Sequence, residues 1–264
     1  MEKKRYYYVL EFQYLGFRYH GWQKQEGVKT VQGMLNRTIN YVLDGANFRT
    51  ISAGRTDTMV SVEKSIFELF TFEPLETNLF FERLNENLPS DIRALSIQEV
   101  GKDFNIIQTP KEKEYNYFFT LEPKIHPFAA PFLVYFHDSL KIEIMKEAAL
   151  LFKGNHNFEQ YCYKPKEGTK FIRSVSLCEI VENDVLKANF FPDQSFILRV
   201  KGQGFMRHQI RLMMGALVKV GRGDLSLEDL KQTLLGSNGN RPDYYIAPAS
   251  GLMLKEVVSE GLSV

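Results

Sequence analysis

Asp57 is the side chain best placed by type to do chemistry. It ends the run Gly54-Arg55-Thr56-Asp57, a loop between two apolar segments. A carboxylate with an ordinary pKa of about 3.9 is already ionised at neutral pH, so it can act as a nucleophile without a neighbouring base. A partly buried carboxylate needs a cation beside it, because stripping one partner from a buried ion pair costs roughly 3–5 kcal/mol. The guanidinium of an arginine supplies that charge as a fixed fork of donors. Arg55 and Arg211 are both candidates for the partner. The competing reading is plain: an Asp in a turn often bonds only its own backbone.

A second feature is a stretch of uniform charge. From Arg199 to Gly223 the chain holds Arg199, Lys201, Arg207, Arg211, Lys219 and Arg222, with no Asp or Glu. Phosphate binding depends on such clustering more than on total charge. A helix expected over Phe205–Val220 places Arg207 and Arg211 four apart on one face, with Ile210, Met213, Met214 and Leu217 turned inward. Gly202-Gln203-Gly204-Phe205 precedes that helix, and amides at a helix start can hold an anion. The alternative is a solvated helix face.

Other chemistries find little footing. The five histidines, His20, His126, His137, His156 and His208, show no H-x-x-x-H or H-E-x-x-H spacing. There is no P-loop and no G-x-S-x-G. The two cysteines, Cys162 and Cys178, form no C-x-x-C pair, which argues against a disulfide framework or a structural zinc. No metal-ligand spacing is present.

The elements that must position these residues follow from pattern. Tyr6–Gln13 reads as a strand, with Tyr8, Leu10 and Phe12 on an apolar face. A Gly- and aromatic-rich loop, 16–25, leads to a helix capped by Thr30, with Val31, Leu35, Ile39 and Val42 inward, and Asp44-Gly45 ends it. Strands are expected at 66–72 and 92–100. Between them lies a helix that Thr77 caps, burying Leu79, Phe80, Leu84 and Leu88. The first half is thus β-α-β-α-β. The charged run Lys111–Glu114 follows. Strands are then expected from Tyr115 to Leu121, around Val175–Glu179, around Phe196–Val200 and at Leu252–Val258. Helices are expected at 139–152, capped by Ser139, at Phe205–Val220, and from Ser226. The expectation is an α+β protein of two domains. Residues 1–108 form an α/β domain carrying the Asp57 loop. Residues 109–264 form a second, carrying Tyr115, the basic helix and the closing strand.

The chain's 264 residues are 44% hydrophobic, enough for a real core, and its 21 Phe and 13 Tyr suit sheets. The net charge of +1 speaks against a strongly basic nucleic-acid binder, and leaves open a structural or protein-interaction module. No signal peptide and no run of about 20 apolar residues is present, so a soluble cytoplasmic protein is expected.

Five blocks, in order, resemble one family. They are Tyr19-His20-Gly21-Trp22-Gln23-Lys24-Gln25 followed by Thr30-Val31-Gln32, then Gly54–Asp57, then Lys113-Glu114-Tyr115-Asn116-Tyr117. Gly204–Arg211 with Gly215 and Val220–Gly223 is the fourth, and Ala247–Leu252 the fifth. Together, over nearly the whole length, they resemble the TruA family of tRNA pseudouridine synthases. The resemblance implies the pseudouridine synthase fold, two similar mixed α/β halves with antiparallel and mixed sheets and a central active-site cleft. It implies that Asp57 attacks the target nucleotide as the uracil–ribose bond breaks, and that the freed uracil rotates and rejoins through carbon. Tyr115 and Leu252 would contact the target base, Arg211 would hold Asp57, and Arg55 would help keep the nucleotide out of its stack. Arg207, Lys201 and Arg222 would bind substrate. The implied substrate is the tRNA anticodon arm, at uridines thirty-eight to forty, and the implied assembly a homodimer without cofactor. For Tyr115 and Leu252 the alternative is ordinary strand packing.

The sequence departs from the family in two places. After Asp57 the family continues Ala-Gly-Val-His-Ala, where this chain has Thr58-Met59-Val60-Ser61-Val62, and the family's Tyr-Asp-Gly is Tyr14-Leu15-Gly16 here. Met59 in place of a glycine is expected to alter the loop. The departure also admits an RNA-binding paralogue without catalysis.

Overall fold

The computed structural model describes residues 4–108, 110–137, 139–236 and 245–259. The chain forms two compact units. One comprises the residues up to Lys111 together with those from Met253 onward, and the other Glu112–Leu252. The architecture is mixed α+β, and no helix among the described residues is long and apolar enough to cross a membrane.

The first unit is built on β1 (Tyr6–Tyr14), which lies between β3 (Ser61–Thr71) and β4 (Ile92–Val100), antiparallel to both. The far edge of β3 is shared. β2 (Phe48–Ser52) pairs with it antiparallel along Phe67–Thr71, and β10 (Leu252–Ser259) pairs in parallel through Met253 and Leu254 with Ser61 and Val62. α1 (Val31–Val42) and α2 (Thr77–Asn87) complete the unit. Thr30 caps α1 as its spacing predicts, accepting from Gly33 N.

Several expectations change here. β2 was not anticipated, because five residues with Arg49 exposed give too short an alternation. β3 begins at Ser61 instead of 66. Its first turns carry Glu63 and Lys64, which masked the strand, and cross-strand cations and anions satisfy them: Lys255 Nζ lies 2.5 Å from Glu63 and Lys64 Nζ 3.1 Å from Glu11. Both faces of β1 are covered, since Val9 and Glu11 are buried along with Leu10 and Phe12. Glu76, not Thr77, precedes α2, without a side-chain cap. Phe80, Leu84 and Leu88 are buried, but Leu79 is exposed. The sequence division kept the closing strand with the second half, whereas from Met253 onward it lies with the first unit.

The second unit has an antiparallel sheet in the order β5 (Pro110–Thr120), β9 (Phe196–Gly202), β8 (Ile172–Glu182) and β7 (Gly154–Asn157). β6 (Val134–Tyr135) adds in parallel to β5. α3 (Ile142–Leu150) packs on α4 (Gln209–Arg222) and on β8. Gly221 permits that approach, since a Cβ there would stand 2.7 Å from Met145 Sδ. Every residue from Leu212 to Val218 of α4 is buried, so the helix is core on all sides. α3 starts at Ile142 rather than 139 because Lys141, whose N–H donates to Gly221 O, sets its end, and Ser139 does not cap it. α5 (Leu227–Thr233) opens on Ser226, whose hydroxyl accepts from Asp229 N as its pattern predicts.

α4 begins four residues later than expected. His208 sits in the left-handed region at φ 59°, and Gln209 turns its side-chain oxygen back onto Met206 N at 2.9 Å. Gly202–Phe205 therefore finishes β9 and forms a loop, and does not supply the helix's first amides.

One group in the first sheet makes a pH-dependent prediction. Glu68 on β3 is 3% exposed, between Val9 and Ile51 on the neighbouring strands, and burial pushes its carboxyl up to about 7. Between its unfolded value near 4.5 and about 7 the folded state therefore holds the extra proton, so stability falls as pH rises through that window. Glu68→Gln should leave stability near that of the parent below pH 4.5. By pH 8 it should be more stable by on the order of 3 kcal/mol. Urea melts across that range check it, and a pH-independent difference would remove burial of the charge as the cause.

Candidate active site

The Asp57 loop runs from Ala53 to Val60 and joins β2 to β3. Within the loop, Ser52 Oγ donates to Gly54 O, and Val60 N donates to Asp57 O. A segment about forty residues earlier also holds it. Trp22 N donates to Thr56 O at 3.2 Å, Met59 N donates to Tyr19 O at 3.0 Å, and the hydroxyls of Tyr14 and Thr56 bond at 2.6 Å. Gly16 N donates to Ser61 Oγ at 3.0 Å. Asp57 is thereby half-buried, while Arg55 is exposed.

Two glycines make this contact possible. A Cβ on Gly16 would lie 2.0 Å from Val60 O, and one on Gly21 would lie 2.7 Å from Thr56 O, with Gly21 also at φ 84°. The bracing segment is itself anchored. Trp22 is buried against Phe12, Tyr14 and Phe67, with ring centroids 4.9, 6.4 and 6.3 Å apart. The Tyr19 hydroxyl donates to Asp91 Oδ1, and Arg18 donates to Asp91 Oδ2. Burial alone would raise the Asp91 carboxyl, but the bonds from Tyr19 and Arg18 outweigh it and hold the group below the usual carboxylate range. No spacing in the sequence singles out Asp91 for this role.

The expected disturbance at Met59 is a cost of conformation, not a change of course. Met59 keeps the left-handed backbone at φ 66° that a glycine would adopt freely. Ser61, where the family has His, serves as the acceptor for Gly16 N.

In the second unit, Tyr115 lies on β5 opposite Val200, half-buried, with its ring edge-on to Phe205 at 5.4 Å. Arg211 is two residues into α4. Its Nε donates to Ala247 O at 2.7 Å, and its carbonyl accepts from Ala247 N at 3.2 Å. The Tyr117 hydroxyl donates to Pro248 O at 2.8 Å. Burial pushes the Tyr117 phenol up, Tyr245 adds to that and Arg211 opposes it. Close approach again rests on glycines: a Cβ on Gly215 would meet Tyr245 O at 2.1 Å, and one on Gly251 would meet Phe118 O at 2.7 Å. Leu252 follows directly and is buried. The structure thus brings Arg211, the closing Ala247–Leu252 block and the Tyr115–Tyr117 strand together.

Tyr117 and Lys113 stand in the third block but were given no role there. Both share the face of β5 that carries Tyr115, and the signal was their two-residue spacing. Burial pushes the Lys113 ammonium down.

The remaining basic residues do not gather at this place. Arg207 precedes α4 instead of sharing its face with Arg211, and its guanidinium lies 5.2 Å over the Tyr163 ring. Lys201 pairs with Glu114 at 2.8 Å. Arg222 ends α4 beside Asp224, roughly 16 Å of helix rise from Arg211. Arg199 pairs with Asp184 at 2.5 Å and Glu179 at 3.9 Å. Three of the six cations in the stretch without Asp or Glu, Arg199, Lys201 and Arg222, are therefore matched by carboxylates from outside it.

The glycine requirement can be measured. Gly21→Ala should destabilise by at least about 2 kcal/mol, from the left-handed backbone and the overlap with Thr56 O. Met59→Gly relieves the first of these at its own position and should be neutral or stabilising by up to about 1 kcal/mol. Chemical denaturation of both variants reports the contrast, and equal losses would show that the loop does not depend on these backbone angles.

A family model described as "tRNA pseudouridine synthase" matches residues 148–258. The chain is 30% identical over 251 residues to tRNA pseudouridine synthase A 2 of Bacillus cereus, covering 95% of this chain and 98% of that one. It is 32% identical over 255 residues to tRNA pseudouridine synthase A of Mesoplasma florum, again covering 95% and 98%. The corresponding protein of Listeria monocytogenes is 27% identical over 244 residues, with 92% and 95% covered. Similarity at this level over nearly the full length of both chains places the protein: it belongs to the TruA family of tRNA pseudouridine synthases.

Proposed function

We propose that the chain isomerises uridine to pseudouridine in the anticodon arm of tRNA, at positions thirty-eight to forty, with Asp57 as nucleophile. The observation that carries this reading is the Asp57 loop, fixed through Thr56, Met59 and Val60 while Asp57 itself is half-buried. A nucleophile needs that kind of positional restraint, because holding reactants in place removes much of the entropic part of the barrier.

The chemistry balances within the substrate. The bond from ribose C1′ to uracil N1 breaks, the uracil turns, a bond from C1′ to C5 forms, and the proton on C5 leaves as one on N1 is gained. No atom or electron is added overall, so the reaction calls for no oxidant and no cofactor. Asp57 is the residue that attacks the nucleotide. Arg211 balances its charge, and its guanidinium is oriented by the bond to Ala247. Tyr115 offers a half-buried ring for stacking on the extruded base, braced from its other side by Phe205. Leu252 packs against the same base, and Arg55, exposed in the same loop as Asp57, holds the nucleotide out of its stack, which otherwise costs a few kcal/mol. Arg207, Lys201 and Arg222 contact RNA away from the reacting base. In this reading each unit carries part of the machinery of the pseudouridine synthase fold, and the protein works in the cytoplasm as a homodimer.

A non-catalytic RNA-binding role drew its support from Thr58–Val62. That support weakens, since Met59 keeps the glycine-like backbone and Ser61 takes up a bond to the bracing segment.

Asp57→Ala and Asp57→Asn should abolish pseudouridine formation on tRNA transcripts while leaving the melting temperature and RNA affinity near those of the parent. Mass spectrometry of the RNA after cyanoethylation reads the product. Conversion at the normal rate by Asp57→Ala would overturn the assignment of the nucleophile. Transcripts lacking uridines thirty-eight to forty should give no product.

A further inference from the structure

Half of the cations in the basic stretch that drew attention in the sequence are matched by acids, whereas another set of cations has no acid partner among the described residues. α1 and β2 border an open groove of about 500 Å³ lined by Lys24, Gln32, Asn36, Arg37, Asn40, Arg49 and their immediate neighbours. Lys24, Arg37 and Arg49 are all exposed, and among the described residues no ion pair engages any of them. No carboxylate is among the described residues that line the groove.

Its floor is ordered. Lys24 N donates to Gln32 Oε1 at 3.0 Å, Gln32 Nε2 donates to Thr50 Oγ1 at 3.4 Å, and Thr50 Oγ1 donates to Asn36 Oδ1 at 2.8 Å. Gln32, Asn36 and Asn40 fall four residues apart on one stripe of α1, about 100° around the helix from the buried Val31, Leu35 and Ile39. The side-chain oxygens of Gln32 and Asn36 are thus turned to acceptor duty inside the floor. What remains for a ligand is nearly all donors: the Asn36 amide, the Asn40 amide, one ammonium and two guanidiniums. A surface rich in donors and free of acids suits a ligand rich in anionic acceptors, and phosphodiester oxygens are that.

The groove is also tied to the Asp57 loop. Gln32 N donates to Trp22 O at 2.9 Å, and Trp22 N donates to Thr56 O. The residue that opens the groove, Lys24, stands two positions from the one that braces Thr56.

We propose that this groove binds the sugar–phosphate backbone of the RNA substrate, through Lys24, Arg37 and Arg49, as a positioning surface distinct from the residues assigned to the reacting base. The proposal rests on the reading that RNA is the substrate. It accounts for RNA binding by a chain of net charge +1, because local unpaired cations release counterions whatever the total charge.

The test uses the full chain and an unmodified tRNA transcript, with affinity measured from 50 to 200 mM salt. Arg37→Glu/Arg49→Glu is compared with Lys102→Glu/Lys187→Glu, which removes the same charge at exposed sites outside the groove. The groove pair should weaken binding at least about tenfold. It should also flatten the slope of log affinity against log salt by about 1.4–1.8, the share of two phosphate contacts. The control pair should stay within a factor of about two or three of the parent. If the charge reversals disturb the melting temperature, Arg37→Gln/Arg49→Gln replaces them with the same expected direction. Unchanged affinity and slope in the groove pair, or an equal loss in the control, overturns the proposal. If the parent makes no pseudouridine but its RNA affinity still falls in the groove pair alone, the groove stands and the proposed activity fails.

Discussion

The close approach of two backbones, where a side chain is forbidden, is the constraint on which the first unit's chemistry depends. The Asp57 loop takes part of its position from the segment between Tyr14 and Trp22. That segment reaches it only because Gly16 and Gly21 carry no Cβ. The aromatic packing of Trp22 and the bonds of Asp91 to Tyr19 and Arg18 then hold the segment itself. Core packing is thereby converted into the placement of one half-buried carboxylate.

The second unit uses the same device with different parts. Gly215 lets α4 press on the carbonyl of Tyr245, and Gly251 lets the closing block press on the carbonyl of Phe118. Arg211 then stitches α4 to Ala247 through both its side chain and its backbone, and Tyr117 holds the next residue. In both units the polar side chains of interest are oriented by backbone carbonyls and amides. Those groups are present in any sequence. What the sequence must supply is room for them.

This explains what was legible beforehand. Asp57, Tyr115, Arg211 and Leu252 stand in recognisable blocks, and helix α1 with its Thr30 cap follows from spacing and hydrogen-bonding chemistry that are local. Elements whose stability comes from partners were harder to see. The start of β3 reads as polar because Glu63 and Lys64 find their counter-charges on other strands. The start of α4 reads as helical from Phe205 because periodicity says nothing of His208 at φ 59° or of Gln209 folding back on Met206. Asp91 and Tyr117 have roles set by what they touch, and no spacing announces a touch.

Charge shows the same division between local pattern and assembled fact. A run of 25 residues without an acid looked like the RNA surface. Folding brings Glu114, Glu179, Asp184 and Asp224 to Arg199, Lys201 and Arg222, which reduces the field that run presents. Lys24, Arg37 and Arg49 are scattered over 26 positions and interleaved with acids at Glu26 and Asp44, so no window of sequence singles them out. A helix stripe and one short strand bring them around a single groove from which those acids are excluded. An electrostatic surface is a property of three-dimensional neighbours, and screening over about 10 Å at ordinary salt makes only those neighbours count. A near-neutral chain can therefore carry a phosphate-binding face, provided its acids are spent elsewhere on structure.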